Sequence, residues 1–429
     1  MPEMNKGSCS PAKFEQTLGL FDATGISVGA IIGAGIFVVT GIAAGLAGSA
    51  LVLSMLIAAV ISVLTALSFV ELTAWQPKEG SIYEYTYQLI SPFMGFLVGW
   101  MWMLSNIFTG AAVSLSFAHY LTTLSPALPI IWVAAILCLA FTALNFFGIR
   151  QSARLNNFIV VAKLLVLMFF VVFGLAHVKS ANFVPFAPFK VGVLYGACFI
   201  FFAYGGFARV AIIADEIKDA KRNVPRAILL SLTISTLVYI CVGVVALGLI
   251  GAAGLAGSNF PLTKAIGVTN DKAASSIISV GALLATASVL LTSILGVSRM
   301  AYAMAKRKDI PQFLSRLHPK HSTPYYSIWL TGAFMALLVL VIDLSKVVAI
   351  STFALLFYYL FANLSALRLT GAKRLYPRVV PILGTASCLV LLVFILFAST
   401  QAWIIGLAGL LAGLVYYAIR KAILSSSNA

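Results

Sequence analysis

Charge is what this chain has least of. Of its 429 residues only 9% are Asp, Glu, Lys or Arg, against roughly 25% in an average soluble protein. That shortfall excludes a soluble enzyme. Cysteine is scarce as well. The five, Cys9, Cys138, Cys198, Cys241 and Cys388, form no CxxC pair and no Cys/His group at metal spacing, so neither a disulfide framework nor a zinc site is expected. No GxSxG, HExxH or P-loop lysine motif occurs, which argues against a membrane enzyme and against an ATP-driven pump. No cofactor is expected. His119 and His177 have no carboxylate near them in sequence and read as structural. The N-terminal residues mix Glu3, Lys6, Lys13 and Glu15, and the apolar run behind them is too long for a cleavable signal.

Apolar residues are what the chain has in excess: 61% of it is hydrophobic. Its apolar segments have spanning length, about 20 residues each. About twelve spans are read, at 20–47, 49–75, 92–123, 128–148, 155–178, 191–214, 226–251, 274–304, 326–342, 347–367, 379–399 and 402–419. The expectation is an all-α polytopic membrane protein with a short cytoplasmic segment (1–19), one membrane domain (20–420) and a short cytoplasmic tail (421–429). If the N-terminus faces the cytoplasm, 21 of the 28 lysines and arginines fall on the inside, among them Lys78, Arg150, Arg226, Arg307 and Arg374. Only Lys179, Lys190, Lys264, Lys272 and Lys346 fall outside, while Lys163 and Arg209 lie within spans. That bias places both termini in the cytoplasm, at the plasma membrane. The net charge of +16 is then topology plus attraction to anionic lipid, and not a sign of nucleic acid.

Two spans are interrupted by glycine. The first reads Ala30-Ile31-Ile32-Gly33-Ala34-Gly35-Ile36-Phe37 and the second Phe202-Ala203-Tyr204-Gly205-Gly206-Phe207. Glycine in a membrane helix invites unwinding, and the backbone groups so released survive at bilayer depth only where they line a cavity or bind something. Either break alone reads equally as close helix packing. As a pair, five spans apart, they mark the substrate site of a secondary transporter built from two inverted repeats. The half-helix starting near Ala34 and Gly35 presents free N–H groups and suits a carboxylate. The carbonyls at Ile31 and Ile32, and at Phe202, Ala203 and Gly205, suit an ammonium. Together they fit an α-amino acid.

Lys163 lies nine residues past Arg154, roughly 13 Å further into the membrane at 1.5 Å per residue. It either snorkels to the cytoplasmic face or places its ammonium where a coupling cation would sit. A buried lysine that can be neutral or charged is a natural proton-coupling switch. Arg209, three residues past the second break, faces either the inner vestibule or the membrane interface. Glu71 and Asp22 read as interfacial or helix-capping acids.

These stretches resemble the amino acid–polyamine–organocation superfamily of permeases, over about residues 15–420. Gly33-Ala34-Gly35-Ile36-Phe37 is similar to its G-x-G-I-F motif, and Phe202-Ala203-Tyr204-Gly205-Gly206-Phe207 to its F-A-Y-x-G-F motif. The run from Asp215 to Ile228, the segment from Glu71 to Tyr83, and Ser298 to Ala305 with His318-Pro319-Lys320 and Thr323-Pro324-Tyr325 are also similar to the family's. The resemblance implies a LeuT-type five-plus-five inverted repeat with spans one and six unwound. It implies a substrate carboxylate held on the span-one break around Gly33, Ala34 and Gly35, and an amine meeting carbonyls of Ile31, Phe202, Ala203 and Gly205. Phe202 would be a gate. Lys163 matches the span-five lysine of the proton-coupled ApcT group, near the span-one backbone and a span-eight serine, here Ser288. Arg209 departs from the family pattern and, as a positive charge, weakens the case for a cationic substrate. The function expected is proton-coupled symport of neutral α-amino acids by alternating access. An exchanger, a polyamine or cationic amino acid carrier, and an amino acid sensor are the alternatives. Amino acid, protons and membrane lipid are the expected partners, with no nucleic acid and no obligate protein partner.

Overall fold

A computed structural model describes residues 14–33, 35–124, 127–258, 260–341, 344–370, 374–398 and 400–426. Ala34 of the first break, most of the expected N-terminal segment with Cys9, Lys6 and Lys13, and Lys373 lie outside those residues. The chain runs through α1 (Leu20–Ile31), a π-helical turn (Gly35–Val39), α2 (Thr40–Ala47), α3 (Leu51–Trp75), α4 (Ile82–Leu89), α5 (Pro92–Leu124), α6 (Ile130–Phe146), α7 (Ile149–Leu175) and α8 (Gly192–Tyr204). It continues through α9 (Ala208–Ile212), α10 (Ala220–Leu255), α11 (Pro261–Gly267), α12 (Lys272–Lys306), α13 (Tyr325–Val339), α14 (Leu344–Arg368), α15 (Val379–Ala398) and α16 (Thr400–Ser426). Among the described residues there is no strand, only one isolated bridge between Leu18 and Ile217.

Among the described residues, eight stretches are long and apolar enough to cross a membrane: Leu20–Trp75, Pro92–Thr122, Ile149–Leu175, Gly192–Ile212, Ala220–Leu255, Lys272–Lys306, Val379–Phe397 and Trp403–Ile423. The apolar helices Ile130–Phe146 and Tyr325–Val339 are shorter. Large apolar side chains such as Phe158, Val172, Phe397 and Ile404 are exposed on outer faces, where hydrocarbon is their natural solvent. Helix ends differ from the sequence reading. Gly148 (φ 130°) starts α7 at Ile149, before position 155. Residues 421–426 continue α16.

The two interruptions are of different kinds. After α1 the backbone leaves the helix, with Ile32 extended at φ −80°, ψ 92°. Between α8 and α9 it stays right-handed and only tightens into a 3₁₀ turn over Gly205–Phe207. The expected unwinding of the second span is thus corrected. The reason is steric: a Cβ on Gly206 would lie 2.3 Å from the Ala30 carbonyl carbon. The glycine lets the 3₁₀ turn press against α1, a close approach that any side chain would block.

Helices α1 and α8 sit inside a ring of longer helices, with α1 packed on α7, α10 and α12, and α8 on α3. One end of the bundle carries the charge. Here the chain before α1 pairs with the chain after α9: Leu18 N–H donates to Glu216 O at 3.2 Å, and Lys218 N–H to Leu18 O at 2.9 Å. Glu216 also accepts from the fully buried Arg299 of α12, Nε to Oε1 2.8 Å. The Phe14 ring lies 5.6 Å from the Arg299 guanidinium carbon. Beside this pair, burial and the adjacent Asp215 and Glu216 carboxylates hold the Glu79 carboxyl well above the usual range. Removing one partner of a buried ion pair costs about 3–5 kcal/mol, because the other charge stays in the interior. Glu216→Ala should therefore lower the thermal midpoint of the purified protein sharply, and Glu216→Gln, which keeps an acceptor for Arg299, less so. Equal midpoints for wild type and Glu216→Ala would mean that the pair does not hold this end together.

Candidate functional site

The last bond inside α1 runs from Ile32 N–H to Val28 O at 2.9 Å. Carbonyls beyond Val28 must find donors elsewhere, since a buried unpaired carbonyl is costly. Side chains of three other helices supply them. Lys163 on α7 is fully buried, so it does not snorkel. Its Nζ donates to Gly29 O at 3.1 Å, to Ser288 Oγ on α12 at 2.6 Å, and to Ile32 O. Ser288 Oγ in turn lies 2.9 Å from Gly29 O. An ammonium carries three hydrogens and no acceptor, and here it has three acceptors. Tyr239 on α10 places its hydroxyl 2.7 Å from Ile31 O and 3.1 Å from Ala203 O, so one side chain bridges both interruptions. Tyr359 on α14 donates to Gly205 O, and its ring stacks on Phe207 at 5.1 Å.

Between these elements lies a cavity of about 30 Å³ lined by Ala30, Ile31, Gly33, Gly35, Phe202, Ala203, Gly205 and Gly206. Ser105, Asn106, Thr109 and Val113 of α5, Arg209 of α9, Val289 of α12 and Leu355 of α14 complete the lining. The volume holds a water or two, so anything of amino acid size requires these helices to part. Of the candidate residues, Ile31, Gly33, Gly35, Phe202, Ala203 and Gly205 all reach this cavity, with Phe202 half-buried at its edge. Lys163 and Ser288 stand behind it, on the far side of the α1 end. Ala34 is outside the described residues. A Cβ on Gly35 would fall 2.4 Å from the Ala203 Cβ, so the two interruptions touch there as well.

Arg209 is buried in the cavity wall and does not snorkel. Its Nε and Nη2 both donate to Asn106 Oδ1, at 3.2 and 2.9 Å, and Nη1 donates to Thr292 Oγ1 at 2.8 Å. Asp22 works as a cap: Oδ2 accepts Gly19 N–H at 3.1 Å and Oδ1 accepts Asn157 Nδ2 at 2.7 Å. Glu71 is buried and pairs with Arg374 at 3.1 Å. Sequence reasoning missed Tyr239, Tyr359 and Asn106. The one signal they leave is a polar group inside an apolar run, which must find a partner in the interior.

Comparison with known proteins gives one family and three relatives. The family described as amino acid permease matches residues 18–419. The chain is 32% identical to the branched-chain amino acid permease BcaP of Bacillus subtilis, over 94% of this chain and 92% of that protein. It is 33% identical to the methylthioribose transporter of the same organism, over 75% and 74%, and 31% identical to human cationic amino acid transporter 4, over 86% and 62%.

The Tyr239 bridge yields a direct test. Tyr239→Phe removes the one hydroxyl hydrogen that the carbonyls of Ile31 and Ala203 share, a loss of about 1–3 kcal/mol. The expected result is a lower thermal midpoint of the purified protein with helix content unchanged. A midpoint equal to wild type would mean that the carbonyls of Ile31 and Ala203 find other donors.

Proposed function

Since the chain belongs to the amino acid permease family, we propose that this multi-pass membrane protein is a proton-coupled α-amino acid symporter working by alternating access. Backbone groups at Gly33 and Gly35, with Ala34 between them, receive the substrate carboxylate. Carbonyls of Ile31, Phe202, Ala203 and Gly205 receive its amine. Phe202, half-buried at the cavity edge, is the gate. Support for this assignment comes from the cavity itself, which gathers the described members of that set around one space. The relatives' printed names run from branched-chain and cationic amino acids to methylthioribose, so membership leaves the side chain open. Among the described residues no carboxylate lines the cavity, which speaks against a cationic side chain. Neutral side chains, the class read from the sequence, and anionic ones remain.

Proton coupling rests on Lys163. Its ammonium ties the end of α1 to α7 and α12 through three acceptors. A neutral amine has two hydrogens and a lone pair, so loss of the proton turns the Ser288 bond around or frees a carbonyl, and it removes the charge that strengthens both ties to α1. Protonation and the position of α1 are therefore linked, and any gradient that loads the lysine biases that position. The arrangement of about twelve spans in a five-plus-five inverted repeat, with both termini on the cytoplasmic face of the plasma membrane, is part of the same reading. The interruptions on α1 and between α8 and α9, and the one-sided basic residues, support it.

Reconstituted vesicles provide the test. An imposed inward proton gradient should drive accumulation of a labelled amino acid. Lys163→Ala should abolish accumulation while leaving substrate binding measurable. Accumulation that ignores the proton gradient and follows sodium, or that survives in Lys163→Ala, would refute the coupling.

A further inference from the structure

Among the described residues, Arg209 is a buried cation without an anion. The ion pairs among the described residues are Arg299 with Glu216, Arg307 with Glu84, and Arg374 with Glu71. Arg209 takes part in none of them, and its acceptors are all neutral: Asn106 Oδ1, Thr292 Oγ1 and Val289 O. These bonds orient the guanidinium but do not cancel its charge. An uncompensated charge in a membrane interior is expensive, and such residues face a cavity or a partner. This one faces the cavity. Lys163, the other buried cation close to that space, is consumed by the α1 carbonyls and Ser288.

The position of Arg209 matters as much as its charge. The groups suited to an α-carboxylate and α-amine lie on the α1 and α8 wall. The same small space is also lined by Ser105, Asn106, Thr109, Arg209 and Leu355, from α5, α9 and α14. An amino acid whose backbone is held by the α1 and α8 groups therefore has the Arg209 guanidinium within the same enclosure as its side chain. Asn106 Oδ1 occupies one edge of the guanidinium. Nη2 carries a second hydrogen for which no acceptor is found among the described residues, and planar guanidinium forks are matched to carboxylate oxygens.

We propose that Arg209 makes this site selective for amino acids whose side chain ends in a carboxylate, such as aspartate and glutamate, the side-chain carboxylate supplying the anion that the guanidinium lacks. This rests on the transport reading above and names the substrate class of the same site.

The test uses the purified full chain, with binding followed by thermal shift and by isothermal titration. The probes are L-aspartate, L-glutamate, L-asparagine, L-glutamine and L-leucine. Wild type should bind one of the two acids most tightly and its amide on the order of a hundredfold more weakly, the usual loss when one partner of a buried charge pair is missing. Arg209→Gln should erase that preference. A second variant guards against misfolding. Asn106→Asp keeps the shape of the Arg209 contact and places a fixed carboxylate on the guanidinium. It should preserve the fold, read as an unchanged elution profile and helix content, and weaken binding of the acids far more than binding of their amides. If leucine or the amides bind and the acids do not, or if both variants keep the wild-type order of affinities, this inference falls and the transport reading stands. If none of the probes nor any other of the twenty amino acids binds, the transport reading fails and takes this inference with it.

Discussion

A helix that stops inside a hydrocarbon layer must have its loose carbonyls satisfied by the protein itself, because no water is there to do it. That requirement organises the centre of this molecule. Helix α1 makes its last internal bond at Val28 O, and donors for Gly29, Ile31 and Ile32 come from α7, α10 and α12. The end of α1 is held by neighbouring side chains and not by its own ladder. Such a joint has discrete arrangements rather than a continuum, since each donor is either within bonding distance of a carbonyl or leaves it orphaned. Lys163, Ser288 and Tyr239 share the joint, and the two carbonyls that Tyr239 touches belong to different interrupted segments. Movement of α1 relative to α8 therefore has to pass through that hydroxyl.

The opposite end of α1 is tied by different chemistry. Leu18 exchanges backbone bonds with Glu216 and Lys218, just past α9, and Arg299 clamps Glu216 onto α12. The two interrupted segments are thus joined at the cavity, where Gly206 meets Ala30 and Gly35 meets Ala203, and again at the charged end. Neither can swing alone without breaking one of these contacts. Further along α7, Asn156 donates to Gly25 O at 2.8 Å and Asn157 to Asp22. The face of α7 that carries Lys163 therefore follows α1 over most of its length. A change in the protonation of Lys163 acts on a helix already coupled to its neighbours along its length and at both ends.

How much of this was legible in the sequence depends on the kind of signal. Glycines interrupting an apolar run and a lysine within one stand out against a membrane composition, and both lead to the cavity or its rear wall. Glycine is ambiguous about mechanism, however. At Gly33 it accompanies a true departure from helix, whereas at Gly206 it permits contact with α1 while the chain stays helical. Sequence cannot separate the two, because both need only the absence of a Cβ. Tyr239, Tyr359 and Asn106 were invisible for the opposite reason. Tyrosine and asparagine are ordinary in long spans, and only the fold reveals that their polar atoms meet carbonyls on a helix far away in the chain or, for Asn106, a guanidinium. The α7 start at Ile149 was misplaced because Arg150 and Arg154 look like a loop, although charged residues fit readily on the first turns of a helix that emerges from the bilayer.

The charges around the cavity bear on how such a device can be driven. With Lys163 protonated, two buried cations stand near a site that has no carboxylate of its own among the described residues. A zwitterionic substrate leaves both charges uncompensated as the cavity closes, and closing removes the water that had screened them, so the electrostatic cost rises at the step where α1 must settle. A substrate with one extra carboxylate offsets Arg209 at that same step. In the proposed cycle the two cations then have separate tasks: Arg209 is balanced by cargo, and Lys163 carries its charge only while it holds the transported proton. One anion carried with one proton moves no net charge across the membrane. The pH difference would then act on Lys163 without the membrane potential opposing or assisting the cargo. A neutral cargo in the same framework would move one positive charge per cycle and would close the cavity around an unbalanced guanidinium.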